Sequence, residues 1–239
     1  MRGLLAPILL GGLLFPLAGG GPAELSDADE VRLGEALAED FMRHEGMAPT
    51  PQTKKIDAYL QSVGEKVAAH AQRKLPYRFR FDPSPAFRSA VGLPGGQIFV
   101  GAGILAYIDS EDQLAAVLGH EVEHVALNQC RARLIKVLAE QHLTPEDGDK
   151  LSAAPFMEGY GHDNEFAADR EGVKLAIEAG YSADSAIRLL QTYVILGEQM
   201  PNTPKEAKSN LEARIAQLRA VCDANQLPKP AAEKPLALP

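Results

Sequence analysis

The sequence predicts a mainly helical α+β domain with one small antiparallel sheet of about three strands. Apolar residues recur at helical spacing over most of the 239 residues, while short alternating or apolar runs at 77–81, 89–92 and 97–100 read as strands. One helix, around residues 115–126, contains a His-Glu-x-x-His pattern, and the strands come just before it. On a helix, residues four apart share a face. His120 and His124 can therefore aim two imidazoles at one point, as a tetrahedral zinc requires of its first two protein ligands. Glu121, about 100° round the helix, can reach a water at the metal without binding the metal itself. Glu123 falls on another face and reads as solvated. The alternative for so short a pattern is a surface helix with two histidines by chance. Leu114 to Gly119, nearly all apolar or small, argue that the helix is buried, and buried imidazoles are costly unless paired or metal-bound.

Composition is that of a soluble globular protein, 46% hydrophobic and 23% charged, with net charge −8. With no Lys/Arg-rich run, nucleic acid is not expected as a partner. Residues 1–23 open on Arg2, continue as an apolar run from Leu4 to Ala18, and leave through Gly19–Ala23. This is the pattern of a secretory signal peptide; a transmembrane anchor is the alternative, disfavoured by the short, Gly/Pro-broken run. Export to the periplasm is therefore expected, with residues 24–225 forming a single domain. In an oxidising compartment the two cysteines, Cys130 and Cys222, permit one disulfide, with two separate thiols as the alternative. No internal repeat or coiled coil is visible, and a monomer is expected.

In chain order, Ser26 caps a first helix ending near Gly46, and a second runs from Gln52 to Arg73. Leu75-Pro76 stops it. The strands Tyr77–Phe81, Ser89–Gly92 and Gln97–Val100 follow, the last two joined by Leu93-Pro94-Gly95-Gly96. After a short helix, Ser110 caps the His-Glu-x-x-His helix, which is read as continuing through Cys130 towards Ala139. Helices are expected at 164–179, 182–196 and 204–224. The Pro-rich tail 226–239 lacks periodicity and reads as disordered.

A catalytic zinc takes three protein ligands and keeps one position open. The best third candidate is Glu165, with Asp169 four residues on; Asp169 would accept from the outer ring N–H of His120 or His124. Taken alone, a solvated acidic face is the better reading of that pair. The set of matches changes the weight. Leu33-Gly34-Glu35, Leu75–Phe79, Leu93–Val100, Leu114–Glu121 and Glu165–Arg170 occur in one order. In these the chain resembles the HtpX-type and CAAX-prenyl-protease-type family of zinc metallopeptidases, and among them the exported, BepA-like bacterial members, without their repeat domain. The resemblance implies a zincin-like (gluzincin) fold. It also implies Zn2+ held by His120, His124 and Glu165, and Glu121 as the base of a peptide hydrolysis. Polypeptide substrates follow from it, as does peripheral contact with a membrane or with outer-membrane assembly machinery.

Departures are Ser89-Ala90-Val91 where the family has Asn-Ala-Phe, and Ala207-Lys208-Ser209 where a Thr-His-Pro is common. The second removes a histidine that could act on the metal or the oxyanion; His162 is the nearest stand-in. Gln97, Ile98, Phe99 and Val100 are read as the strand that receives substrate by strand addition, because Gly95-Gly96 permit close approach, with plain sheet core as the alternative. The competing function is a chaperone or assembly factor for exported proteins that keeps a structural zinc and little proteolysis.

Overall fold

The computed structural model describes residues 25–199, 205–224 and 233–239, so the signal-peptide expectation for 1–23 lies outside the described residues. Helix α1 spans Asp27–His44, capped by the Ser26 side chain, which accepts from the Asp29 N–H. Helix α2, Pro51–Ala68, opens with a capping box between Thr50 and Thr53. It ends five residues before the expected Arg73.

Three strands follow: β1 (Arg78–Asp82), β2 (Ala90–Leu93) and β3 (Gln97–Gly101). Their order is β1-β3-β2, with β2 antiparallel and β1 parallel to β3. The sheet is therefore mixed, not wholly antiparallel as expected. Only β2 and β3 are joined by a tight turn, at Pro94–Gly96; β1 reaches the far side of β3 through a connection long enough to reverse its direction.

Beyond the short α3 (Ala102–Leu105) comes α4 (Glu111–Ala126), capped by Ser110. The long helix expected to reach Ala139 is two helices. Asn128 adopts left-handed backbone (φ 60°), and α5 restarts at Gln129–Glu140. Asn is among the few residues that accept this conformation readily, so it stops α4 as a helix terminus. Helices α6 (His162–Glu178), α7 (Ala183–Gln199) and α8 (Lys205–Ala224) complete the domain.

Helix α4 is the axis of the fold. It packs against α2, α6, α7, β2 and β3, and every residue of it except Glu111 and His120 is buried. Glu123 is thus buried, not solvated as its helical position suggested, because no face of α4 is left to water. The main core joins α2, β1, β3 and α4 through Leu60, Val63, Phe79, Ile98, Leu118 and Val122. A second cluster lies between α1, the sheet's other face and α5. Glu30, fully buried, ties these parts together: it takes Arg73 Nη2 at 2.7 Å and the Gly95 N–H at 3.2 Å.

Residues 233–239 are not a structureless tail. They form an extended strap across the start of α4. The Glu111 N–H donates to the Lys234 carbonyl (2.8 Å), the Lys234 N–H to Asp112 Oδ2 (2.8 Å), and Ser110 bridges to Pro235. Lys234 Nζ sits 4.3 Å over the Tyr181 ring, and Glu233 pairs with Arg188 of α7. Among the described residues, no helix is long and apolar enough to cross a membrane.

Candidate metal centre

Two helices cross with almost nothing between their backbones. A Cβ on Gly172 of α6 would stand 2.7 Å from the Gly119 carbonyl carbon and the His120 nitrogen of α4, and one on Gly119 would meet the Gly172 oxygen at 2.5 Å. Only glycine at both positions lets the helices approach this far. Asp169 and Glu165 lie one and two turns before Gly172 on the same face of α6, so the crossing brings them over His120 and His124.

There, His120 Nε2 and His124 Nε2 lie 3.0 Å apart. Glu165 Oε2 is 3.4 Å from the first and Oε1 is 3.8 Å from the second. Bonds of about 2.0–2.2 Å to a tetrahedral zinc place neighbouring ligand atoms roughly 3.3 Å apart, so the three side chains are spaced to share one ion. The ring planes stand at 88°, and the short separation shows both Nε2 atoms turned inward. Two imidazole nitrogens facing each other beside a carboxylate are the donor set of a cation site. Among the described residues these three are the group that could hold a metal.

The outer ring nitrogens have separate partners. Asp169 Oδ1 lies 2.9 Å from His120 Nδ1, off the line of a straight hydrogen bond, so that buried nitrogen has no well-aligned acceptor. Gln129 Oε1 lies 2.5 Å from His124 Nδ1, and the Gln129 amide reaches towards the Asn164 carbonyl at 3.4 Å. A metal on Nε2 leaves the proton on Nδ1, facing an oxygen in both cases. Asp169 is itself held by Arg214 of α8 through Nε (2.5 Å) and Nη2 (2.8 Å), while Nη1 stands 3.4 Å from Glu165.

The electrostatics follow from burial. Burial alone would lower His120, but the Asp169 and Glu165 carboxylates outweigh it and hold the imidazole up at about 10. Burial and the His120 charge push His124 down to about 3. Burial opposes ionisation of Glu165, yet the His120 hydrogen bond and the charges around it hold this carboxyl down at about 2. Glu165 thus stays ionised beside the two imidazoles. Glu121 differs. Burial raises its carboxyl above the usual range, with the His120 charge and the Gly92 N–H offsetting part of that.

A cavity of about 250 Å³ opens beside these groups, lined by Ser89, Ala90 and Val91 on one wall and by α7 and Arg214 on another. Tyr160 closes a third side. Its ring stacks on His124 (4.4 Å between centroids), its N–H donates to Glu165 Oε1 at 3.1 Å, and its hydroxyl reaches the Gly92 carbonyl and Cys130 Sγ. The Arg133 guanidinium lies 3.9 Å over the other face of that ring and donates to the Glu158 and Gly159 carbonyls.

The sequence profile of peptidase family M48 matches residues 54–145, a stretch that includes both histidines. Over that stretch the chain is similar to peptidase family M48. The chain is 28% identical over 133 residues to the beta-barrel assembly-enhancing protease of Escherichia coli K12, covering 55% of this chain and 24% of that protein. The protein of the same name from Yersinia pestis is 23% identical over 190 residues, 71% of this chain and 38% of the relative. The mitochondrial metalloendopeptidase OMA1 of Schizosaccharomyces pombe is 33% identical over 98 residues, 40% of this chain and 28% of the relative. The chain thus spans a quarter to two fifths of the length of these relatives.

Three readings of the sequence need correction. Gln97, Ile98, Phe99 and Val100 are buried and belong to the central strand, hydrogen-bonded on both sides, so β3 has no edge to offer a substrate. Cys130 and Cys222 are not joined by a disulfide: Cys130 is buried against Gly92, whereas Cys222 packs in the cluster of α6, α7 and α8. His162 does not line the cavity; its exposed ring stacks on Phe166. Sequence reasoning also missed Gln129, Arg214, Tyr160 and the Gly119–Gly172 crossing. Arg214 and Gln129 carry no local pattern that marks them, but two glycines inside otherwise strong helices are a readable sign of close packing.

Proposed function

We propose that the chain is a zinc-dependent endopeptidase that hydrolyses unfolded or misassembled exported proteins in the periplasm. The observation that carries this reading is the meeting of His120, His124 and Glu165 with a buried carboxylate, Glu121, at the mouth of a cavity. When bound, zinc supplies a Lewis acid that acidifies water and polarises a carbonyl. Glu121 takes the proton from the attacking water and delivers it to the leaving amine. Its raised affinity for protons suits both halves of that task. Asp169 and Gln129 orient the two imidazoles, and Arg214 holds Asp169.

The substrate lies along β2 instead of β3. β2 is an edge strand whose Gly92 N–H and carbonyl point away from β3, to Glu121 and Tyr160. By antiparallel alternation the same is true of Ala90, two residues earlier, which lines the cavity and can pair with an extended peptide. The names of the relatives, a beta-barrel assembly-enhancing protease and a mitochondrial metalloendopeptidase, support polypeptide substrates and suggest outer-membrane assembly as the setting.

The test is incubation of the zinc-loaded chain with casein, with and without a chelator, alongside Glu121→Gln. Cleavage is expected from the unaltered chain only, with one zinc bound by both proteins. Cleavage by Glu121→Gln would remove the role given to Glu121. Intact casein throughout, with zinc bound and aggregation suppressed, would favour a chaperone.

A further inference from the structure

A peptide carbonyl attacked at this site gathers negative charge on its oxygen. A donor aimed at that oxygen is worth about 10²–10³ in rate. Apart from the histidines, the described side-chain donors that line the cavity are Ser89, Tyr160, Tyr193 and Arg214. Three are committed elsewhere. Ser89 Oγ donates to the Ala90 carbonyl at 3.0 Å. The Tyr160 hydroxyl is taken by the Gly92 carbonyl (3.3 Å) and Cys130 Sγ (3.1 Å). Arg214 is spent on Asp169 and Glu165.

Tyr193 remains. Ala186, Leu189, Leu190 and Tyr193 form one stripe of α7 facing the cavity, at i, i+3, i+4 and i+7, and Tyr193 is its polar member. Its ring packs against both neighbouring apolar clusters. Its hydroxyl makes no hydrogen bond to any described residue. It lines the same cavity as the base Glu121 and as Arg214. Burial first, and then the Glu121 carboxylate, keep the phenol protonated well above the ordinary range. The residue is only partly buried, which leaves the hydroxyl open to a group that enters the cavity.

We propose that Tyr193 is a catalytic residue of this site, its hydroxyl donating a hydrogen bond to the carbonyl oxygen of the scissile bond as charge develops there. Tyr193 keeps its proton throughout; the proton that moves is the one Glu121 carries from water to the amine. The proposal rests on the hydrolytic reading above. It gives the site a donor of its own, although residues 207–209 contain no histidine.

The experiment compares Tyr193→Phe with the unaltered zinc-loaded chain on an internally quenched peptide. Tyr193→Phe is expected to lower kcat about 10²–10³-fold with KM within about threefold, zinc content and melting temperature being unchanged. Affinity for a phosphonamidate peptide, whose tetrahedral oxyanion mimics the transition state, should fall by a similar factor. Binding of the uncleaved peptide to Glu121→Gln should be the same with and without Tyr193→Phe. A kcat within twofold of the unaltered chain, or a rise in KM alone, would overturn the proposal and make Tyr193 a wall of the cavity. If the unaltered chain itself cleaves nothing, the hydrolytic reading falls before any substitution is tested, and this role falls with it.

Discussion

Gly172→Ala sets two known effects against each other. Alanine is the better helix former by about 1 kcal/mol, so propensity alone makes the variant more stable. The contact geometry says the opposite. The new Cβ would stand 2.7 Å from two backbone atoms of α4, where ordinary contact begins near 3.4 Å. Backbone cannot swing aside, so α4 and α6 must part by about 0.7 Å, at an overpacking cost of roughly 1–3 kcal/mol. The net effect is a loss of up to about 2 kcal/mol, or a few degrees in melting temperature for a domain of this size. Metal binding should suffer more. His120 and Glu165 sit on opposite sides of the crossing, and metal–ligand distances tolerate only about ±0.2 Å. Zinc affinity should fall by roughly 10- to 100-fold, the loss typical of disturbed metal surroundings. Competition with a chromophoric chelator measures the affinity, and calorimetry the melting temperature. Unchanged zinc affinity together with a higher melting temperature would refute the packing account.

Three further outcomes follow from other contacts. Gln129→Ala, which frees His124 Nδ1, should weaken zinc about tenfold or more without altering the fold; equal affinity would show that Gln129 does not orient the ring. Burial pushes the Cys130 thiol up to about 12, so it should resist alkylation at pH 8 until the chain unfolds, and labelling of native Cys130 would contradict that. Burial first, then the Glu171 carboxylate, raise Glu123 to about 7 against a model-compound 4.5. Its ionisation therefore opposes folding increasingly as pH rises from 4.5 to 7 and by a constant amount above, at most about 3 kcal/mol. Glu123→Gln should accordingly stabilise the chain more at pH 8 than at pH 5.5, and an equal gain at both would refute the assignment.

The ligands were legible because they obey helical spacing: His120 with His124, and Glu165 with Asp169, need no knowledge of the fold to be placed on common faces. What could not be read is how those faces meet. Arg214 reaches Asp169 from a helix 45 residues on, and its role depends on how α6 and α8 pack. Gln129 reaches His124 only because Asn128 turns the chain back at the end of α4. The wholly antiparallel reading of the sheet fails for a different reason. Short strands close in sequence suggest antiparallel neighbours, although the unbroken Ile98-Phe99-Val100 run is the pattern of a strand covered on both faces. Glu123 shows the limit of a helical wheel, since the elements packed around α4 leave it no outer side.

The strap of residues 233–239 gives the domain an unusual load path. Tension applied beyond residue 239 would run into Ser110, Glu111 and Asp112 before it reached α8, because the Lys234 and Pro235 backbone is pinned there. In a pulling experiment those few bonds would rupture in shear as an early, small event. Only then would force arrive at α8, and through Arg214 at the carboxylates beneath it.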